Sequence, residues 1–142
     1  MQASIDYFKL QAKNLYRDFK TKEKDDEGYY QYTPRFFKDI DGIIVDYDID
    51  EEDFSLMKAQ HIIARMAGLS KWADLLWADE DELKVGQLLI ENRDKSNGCV
   101  PLLIAWQDYM EDLRHILKGD ELGGAEKLVL LQNWLSDEQE ED

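Results

Sequence analysis

Residues 54–76, FSLMKAQHIIARMAGLSKWADLL, restrict the fold more than any other stretch of the chain. Leu56, Ala59, Ile63 and Met66 or Ala67 recur at steps of three and four, which sets them on one stripe of a helix. Ile62 widens that stripe. Asp53 or Ser55 can cap its start by accepting an orphan backbone N–H. Gly68 stands where the residue past a helix C-terminus commonly takes a positive φ. Ser70 can then cap a second short helix carrying Trp72, Leu75 and Leu76 on one face. Helix, glycine turn, helix is therefore the expected centre of the fold. Burying an indole contributes about 2–3 kcal/mol by area, so Trp72→Ala is expected to be among the most damaging substitutions.

The same outline suits a DNA-reading helix-turn-helix, but a recognition helix needs several exposed donors for base edges and phosphates. Lys71 and Asp74 among large apolar residues do not supply them, and packing is the better account.

Other segments show the same period. Ile5, Phe8, Ala12, Leu15, Tyr16 and Phe19 predict a first helix over residues 4–22. The charged run at 20–28 lacks apolar periodicity and reads as a solvated loop. Residues 29–32, Tyr-Tyr-Gln-Tyr, fit a short strand, a loop packed on the core or an exposed binding surface. Thr33 and Pro34 resemble a cap with proline at the first helical position. Phe37, Ile40, Ile44 and Tyr47 continue at helical spacing, although Gly42 and the β-branched Ile43, Ile44 and Val45 also suit a strand. Helix is the favoured reading for 36–47. Asp79 and Glu82 form the pattern of a capping box, with Leu83 and Ile90 following to about Asn92. Pro101 is placed to open a longer helix carrying Leu102, Trp106, Tyr109, Leu113 and Ile116 or Leu117, and Gly119 to end it. After Gly123 and Gly124 comes a last helix with Leu128, Leu131, Trp134 and Leu135.

Charge narrows the partners. The formal net charge of the 142 residues is −15. Its distribution is uneven: +3 over residues 1–24, −9 over 25–53, +2 over 54–78 and −11 over 79–142. Such a balance argues against direct binding to nucleic acid or to an anionic membrane, both of which require positive charge. It favours solubility, or a partner with a basic surface. The single cysteine, Cys99, excludes a disulfide within the chain, and a cytoplasmic setting is expected. Residues 1–13 lack the apolar core of a signal peptide, and no run approaches the length of a membrane span.

A search for chemistry finds little. Asp46, Asp48 and Asp50 imitate the start of a calcium loop, but Glu51 stands where an EF-hand needs glycine and Met57 where it needs its bidentate glutamate. Residues 46–53 read instead as an acidic loop feeding the N-terminus of the 54–67 helix, where negative charge meets the positive dipole end. His61 and His115 lack second ligands at metal-binding spacing. Cys99 beside Gly98 reads as a small buried residue rather than a nucleophile. No phosphate-binding glycine loop or nucleophile elbow occurs. No catalytic, cofactor-binding or metal-binding residue is assigned. A hydrolase using carboxylates and a divalent ion is the weakest of the readings.

Ala59, Gln60, Ile63, Ala64, Arg65, Gly68, Leu69, Trp72 and Leu75 match A-Q-x-x-I-A-R-x-x-G-[FL]-x-x-W-x-x-L. This resembles a helical leader segment in uncharacterised bacterial proteins, often standing ahead of ankyrin repeats and, more loosely, in some glyoxalase-superfamily proteins. Such leaders carry an upstream Q-A-K-x-L helix, represented here by Gln11, Ala12, Lys13 and Leu15. The resemblance implies a helical segment without an enzymatic role. No period near that of ankyrin repeats follows it.

The expected fold is all-α: a compact single-domain bundle of five to six helices around the 54–76 unit. The domain is expected to cover 1–135, with an acidic tail at 136–142 that frays. The expected core is Phe8, Leu15, Phe19, Leu56, Ile63, Met66, Trp72, Leu75, Leu102, Trp106, Tyr109, Leu113, Leu131 and Trp134. The expected function is a non-enzymatic acidic interaction module binding another protein or itself. An acidic inhibitor of a basic nucleic-acid-binding protein, either a DNA mimic or an antitoxin-like partner, is the alternative.

Overall fold

Helical periodicity carries through to the backbone of the computed structural model, which describes residues 5–97, 100–117 and 122–140. In chain order it runs α1 (Ile5–Phe19), β1 (Glu23–Lys24), β2 (Tyr30–Gln31), α2 (Ile40–Asp46), α3 (Leu56–Met66), α4 (Trp72–Leu76), α5 (Glu80–Glu91), β3 (Ser96–Asn97), β4 (Val100–Pro101), α6 (Leu102–Leu117) and α7 (Gly124–Glu140). The fold is mainly α. Two short antiparallel ladders, β1 with β2 and β3 with β4, qualify the all-α expectation. Seven helices occur among the described residues, because α2 and α4 each form as a short separate helix. Backbone contacts group the chain into two units, Asp6–Ile63 and Met1–Ile5 with Ala64–Asp142.

In the Asp6–Ile63 unit, α1 buries Phe8, Ala12, Leu15 and Phe19, spaced four, three and four apart. Asp18 lies on the same face with only 1% of its surface exposed. Its carboxylate accepts the backbone N–H groups of Arg35 at 2.9 Å, Phe36 at 3.1 Å and Phe37 at 2.6 Å. These bonds correct the reading of Thr33 and Pro34 as a helix start. Donors that would have opened a helix are committed to Asp18, and α2 begins only at Ile40. Phe37 and Ile40 are then fully buried.

α1 ends at Phe19, earlier than predicted. The Thr21 hydroxyl donates to the Asp18 carbonyl at 2.6 Å and accepts the Thr33 N–H at 2.9 Å, drawing the chain out of the helix. The charged run after it forms half of a hairpin rather than a loop. Glu23 sits opposite Gln31 and Lys24 opposite Tyr30. Asp25 organises the turn: its Oδ1 accepts the N–H of Glu27 and of Tyr29, both at 2.9 Å, and Gly28 takes φ +89°. The Tyr29 N–H above all holds the Asp25 carboxyl below its ordinary pKa. Polar bonds set this hairpin, so hydrophobic alternation could not announce it.

α2 absorbs the β-branched run and closes in a Schellman turn. Asp48 adopts φ +50°, Ile49 N–H reaches the Ile44 carbonyl at 3.0 Å, and Asp48 N–H reaches that of Val45 at 3.3 Å. Ser55 caps α3, its hydroxyl accepting the Lys58 N–H at 3.2 Å. An aromatic group closes the unit: Phe54 stacks on Phe19 at 3.9 Å between centroids, and Tyr32 meets Phe19 edge-on at 5.4 Å.

In the unit containing Ala64–Asp142, α3 ends as the sequence indicates. Gly68 takes φ +86°, Leu69 N–H bonds the Ala64 carbonyl at 3.0 Å, and Gly68 N–H bonds that of Arg65 at 3.0 Å. Lys71, not Ser70, occupies the N-cap of α4, and it makes no side-chain cap bond. Leu75 is fully buried, Trp72 is half-buried and Leu76 is 44% exposed, so Leu75 is the deeper anchor of α4. Asp79 caps α5 by accepting the Glu82 N–H at 2.8 Å. α5 packs on α7, and Val85, Leu89, Leu131 and Leu135 join Leu102 and Trp106 of α6 in one core. Tyr109 stacks on Trp134 at 5.0 Å, with Trp106 edge-on to Trp134 at 5.6 Å.

Gly124 starts α7 against the start of α5: a Cβ there would lie 2.7 Å from Asp79 Oδ1 and 2.9 Å from Glu82 Cγ. Pro101 lies in β4, and α6 begins at Leu102. α7 continues past Ser136 to Glu140, into the stretch read as a fraying tail. Ser4, Gly98, Cys99 and Gly119 lie outside the described residues. Of the expected core, Leu56, Trp72, Tyr109, Leu113 and Trp134 are half-buried and the rest are buried. Phe37, Ile40, Leu89 and Ile90 are buried core residues that the expected core did not include.

Two substitutions test this architecture by urea unfolding. Asp18→Ala strands three backbone donors and is expected to cost about 3–5 kcal/mol, with faster amide exchange at residues 35–37. Asp18→Asn keeps one acceptor oxygen and is expected to cost less. Equal stability of Asp18→Ala and wild type would refute the role given to this carboxylate. Gly68→Ala is expected to cost about 1–2 kcal/mol, because an L-residue resists positive φ. Its new Cβ would also stand 3.1 Å from Leu89 Cδ1.

Candidate functional site

Two stretches left open by the sequence, residues 29–32 and 46–53, meet within the Asp6–Ile63 unit. Side chains alternate along an extended strand, so Tyr30 and Tyr32 project to the same side. Asp50 Oδ1 accepts the Glu52 N–H at 3.0 Å, and the Asp53 N–H bonds the Asp50 carbonyl at 3.2 Å. That turn presents the two glutamates to the two phenols. Tyr32 donates its hydroxyl to Glu51 Oε2 at 2.6 Å, and Tyr30 donates to Glu52 Oε1. Lys22 bonds the Glu51 carbonyl and lies 4.7 Å over the Tyr30 ring, with Lys24 at 5.4 Å. Lys58 reaches Asp53 Oδ2 at 2.8 Å, and this bond lowers the Asp53 pKa.

Electrostatics follow the geometry. Burial, then the hydrogen bond to Glu51 and the charge of Glu51, push the Tyr32 phenol far above its ordinary value. The bond to Glu52 raises Tyr30 as well. Both hydroxyls are therefore held as proton donors. The cluster latches the hairpin to the acidic loop, and its carboxylates are engaged by phenols. The pairs are nineteen and twenty-two residues apart, so no local pattern could have revealed them.

The remaining candidates are dispersed. His61 and His115 are exposed, and His115 Nε2 lies 3.2 Å from Glu111 Oε1. Among the described residues no three His, Cys, Asp or Glu side chains converge to hold a metal ion, and Asp46, Asp48 and Asp50 do not form a calcium cradle. An open groove of about 390 Å³ in the Ala64–Asp142 unit is lined by Trp106, Met110, Leu117, Glu82, Arg114 and Lys127. Arg114 is already paired with Glu111 at 2.7 Å, and the lining presents both signs of charge without a convergent acid–base pair. No helix among the described residues is long and apolar enough to cross a membrane.

Trp77, which the sequence reading passed over, has 88% of its surface exposed. Leu76 beside it is the large apolar α4 residue that fails to turn inward. The signal was present in the spacing. A helix advances about 100° per residue, which puts Trp77 nearly opposite Leu75 and well away from Trp72.

The phenol latch has a signed pH dependence. An unfolded tyrosine ionises near pH 10. Because the folded pKa is raised, the stability Tyr32 contributes is intact below about pH 10 and is lost as pH rises through the folded value. Titration of tyrosinate absorbance is expected to show Tyr32 ionising last, and Tyr32→Phe to delete that final step at a cost of about 1 kcal/mol in stability. A tyrosine titration unchanged by Tyr32→Phe would contradict the latch. No family model, no curated protein and no solved structure matches this chain.

Proposed function

We propose that this chain is a non-enzymatic, acidic helical interaction module that binds another protein. The observation that carries the reading is Trp77, 88% exposed on a chain of net charge −15. Isolated exposed aliphatics such as Val45 and Met57, each 78% exposed, are ordinary on a protein surface. An indole left almost wholly in water is not, and tryptophan is strongly enriched where binding energy concentrates. In this reading α3, Gly68 and α4 form the central scaffold. The motif resemblance to bacterial leader segments supports it, since such leaders accompany repeat-type binding scaffolds. The reading places the module in the cytoplasm, and a second copy of the chain is a further candidate partner.

The charge itself favours a second reading, an acidic inhibitor that occupies the basic surface of a nucleic-acid-binding protein as a DNA mimic or antitoxin-like partner. Salt separates the two, because long-range attraction is screened over about 10 Å at moderate ionic strength. Affinity capture with the full chain is expected to retain its partner at high salt. Recovery of a basic nuclease or nucleoprotein at low salt alone would favour the inhibitor. Recovery of no specific protein at either salt would end both.

A further inference from the structure

The structure places Trp77 and Leu76 at the junction of α4 and α5, within the Ala64–Asp142 unit. Trp77 is the C-cap of α4 and Asp79 the N-cap of α5, with Ala78 alone between them. The junction is held on both sides. Ala78 N–H bonds the Leu75 carbonyl at 3.2 Å, and the fully buried Leu75 anchors α4. Asp79 Oδ1 is tied to the Glu82 N–H, and the Gly124 backbone lies close against Asp79 and Glu82. The exposed indole is thus mounted on a braced corner.

The chain around it is mainly acidic. Between Lys71 and Lys84, both exposed, stand Asp74, Asp79, Glu80, Asp81 and Glu82. Asp79 and Glu80 are exposed, and Asp74, Asp81 and Glu82 are partly so. An apolar anchor rimmed by carboxylates selects its occupant. A second copy would bring the same five carboxylates against these five. Nucleic acid and anionic lipid carry the same unfavourable sign. A cationic segment complements both parts of the patch: guanidinium groups pair with carboxylates and stack on the indole face, while an apolar side chain covers Leu76.

We infer that Trp77 and Leu76, bordered by Asp74, Asp79 and Glu80, form the docking site for an arginine-bearing, partly apolar segment of another protein. This rests on the interaction-module reading and gives it a location and a partner chemistry. The carboxylates steer the segment in, and the indole supplies the desolvated contact that holds it.

The test is the binding of a fluorescently labelled peptide of alternating arginine and leucine to the full chain, read by anisotropy at low and moderate salt. A glutamate–leucine peptide of equal length is the control. Wild type is expected to bind the arginine peptide and not the glutamate peptide. Trp77→Ala is expected to weaken that binding about tenfold or more while leaving the unfolding midpoint unchanged. Glu80→Gln with Asp74→Asn is expected to weaken it chiefly at low salt. Equal binding by wild type and Trp77→Ala would overturn the site and leave attraction to a basic partner standing. Failure of wild type to bind the arginine peptide would likewise overturn it. Sedimentation showing a dimer that Trp77→Ala dissociates would replace the cationic segment with a second copy. The interaction-module reading falls separately, if affinity capture recovers no partner at any salt.

Discussion

One buried carboxylate determines how the Asp6–Ile63 unit can be threaded. Asp18 sits on the apolar face of α1 and is almost wholly removed from water. A charge in that position is costly unless it is met by donors, and here three consecutive backbone N–H groups meet it. The arrangement serves both partners. It satisfies the carboxylate, and it satisfies amides that neither helix nor strand would otherwise employ. The turn at 35–37 can settle only once α1 presents Asp18, so the site joins a local element to a distant one. Phe37 and Ile40 enter the core as a consequence.

Legibility in the sequence follows the range of the forces. The stripe in α1, the stop at Gly68 and the cap at Asp79 are set by neighbours within a helical turn or two, and the residues announce them. Asp18 carries no local mark of burial, because its partners stand seventeen to nineteen residues away. Pro34 misled for the same reason: its local preference for a helix start was overruled by a tertiary acceptor. A short strand was one reading open for residues 29–32, but its pairing with 23–24 was not legible, because Asp25 and Gly28, rather than alternating apolar residues, hold the hairpin. The β-branched residues of α2 show the opposite case, a local strand preference overridden by the burial of Ile40 and Ile43.

Acidic residues in this chain do different things in different places. Asp25, Asp50 and Asp79 fold back on the backbone and shape turns and a helix start. Glu51 and Glu52 accept from phenols and tie the hairpin to the loop. Glu80 lies exposed beside Trp77. Net charge alone therefore overstates how much of the negative surface is free for a partner. Bonds from neutral donors leave these carboxylates charged, so they still attract at long range, but they occupy lone pairs that a partner's donors would otherwise use.

The two faces of α3 bear on how the protein ages. Met57 is 78% exposed and Met66 only 3% exposed, although both belong to the same helix. Thioether oxidation makes a side chain polar, which disrupts a core and matters little where water already is. Oxidants will reach Met57 first and leave Met66 shielded, so the helix carries a sacrificial sulfur on its wet side and a protected one among its packed neighbours.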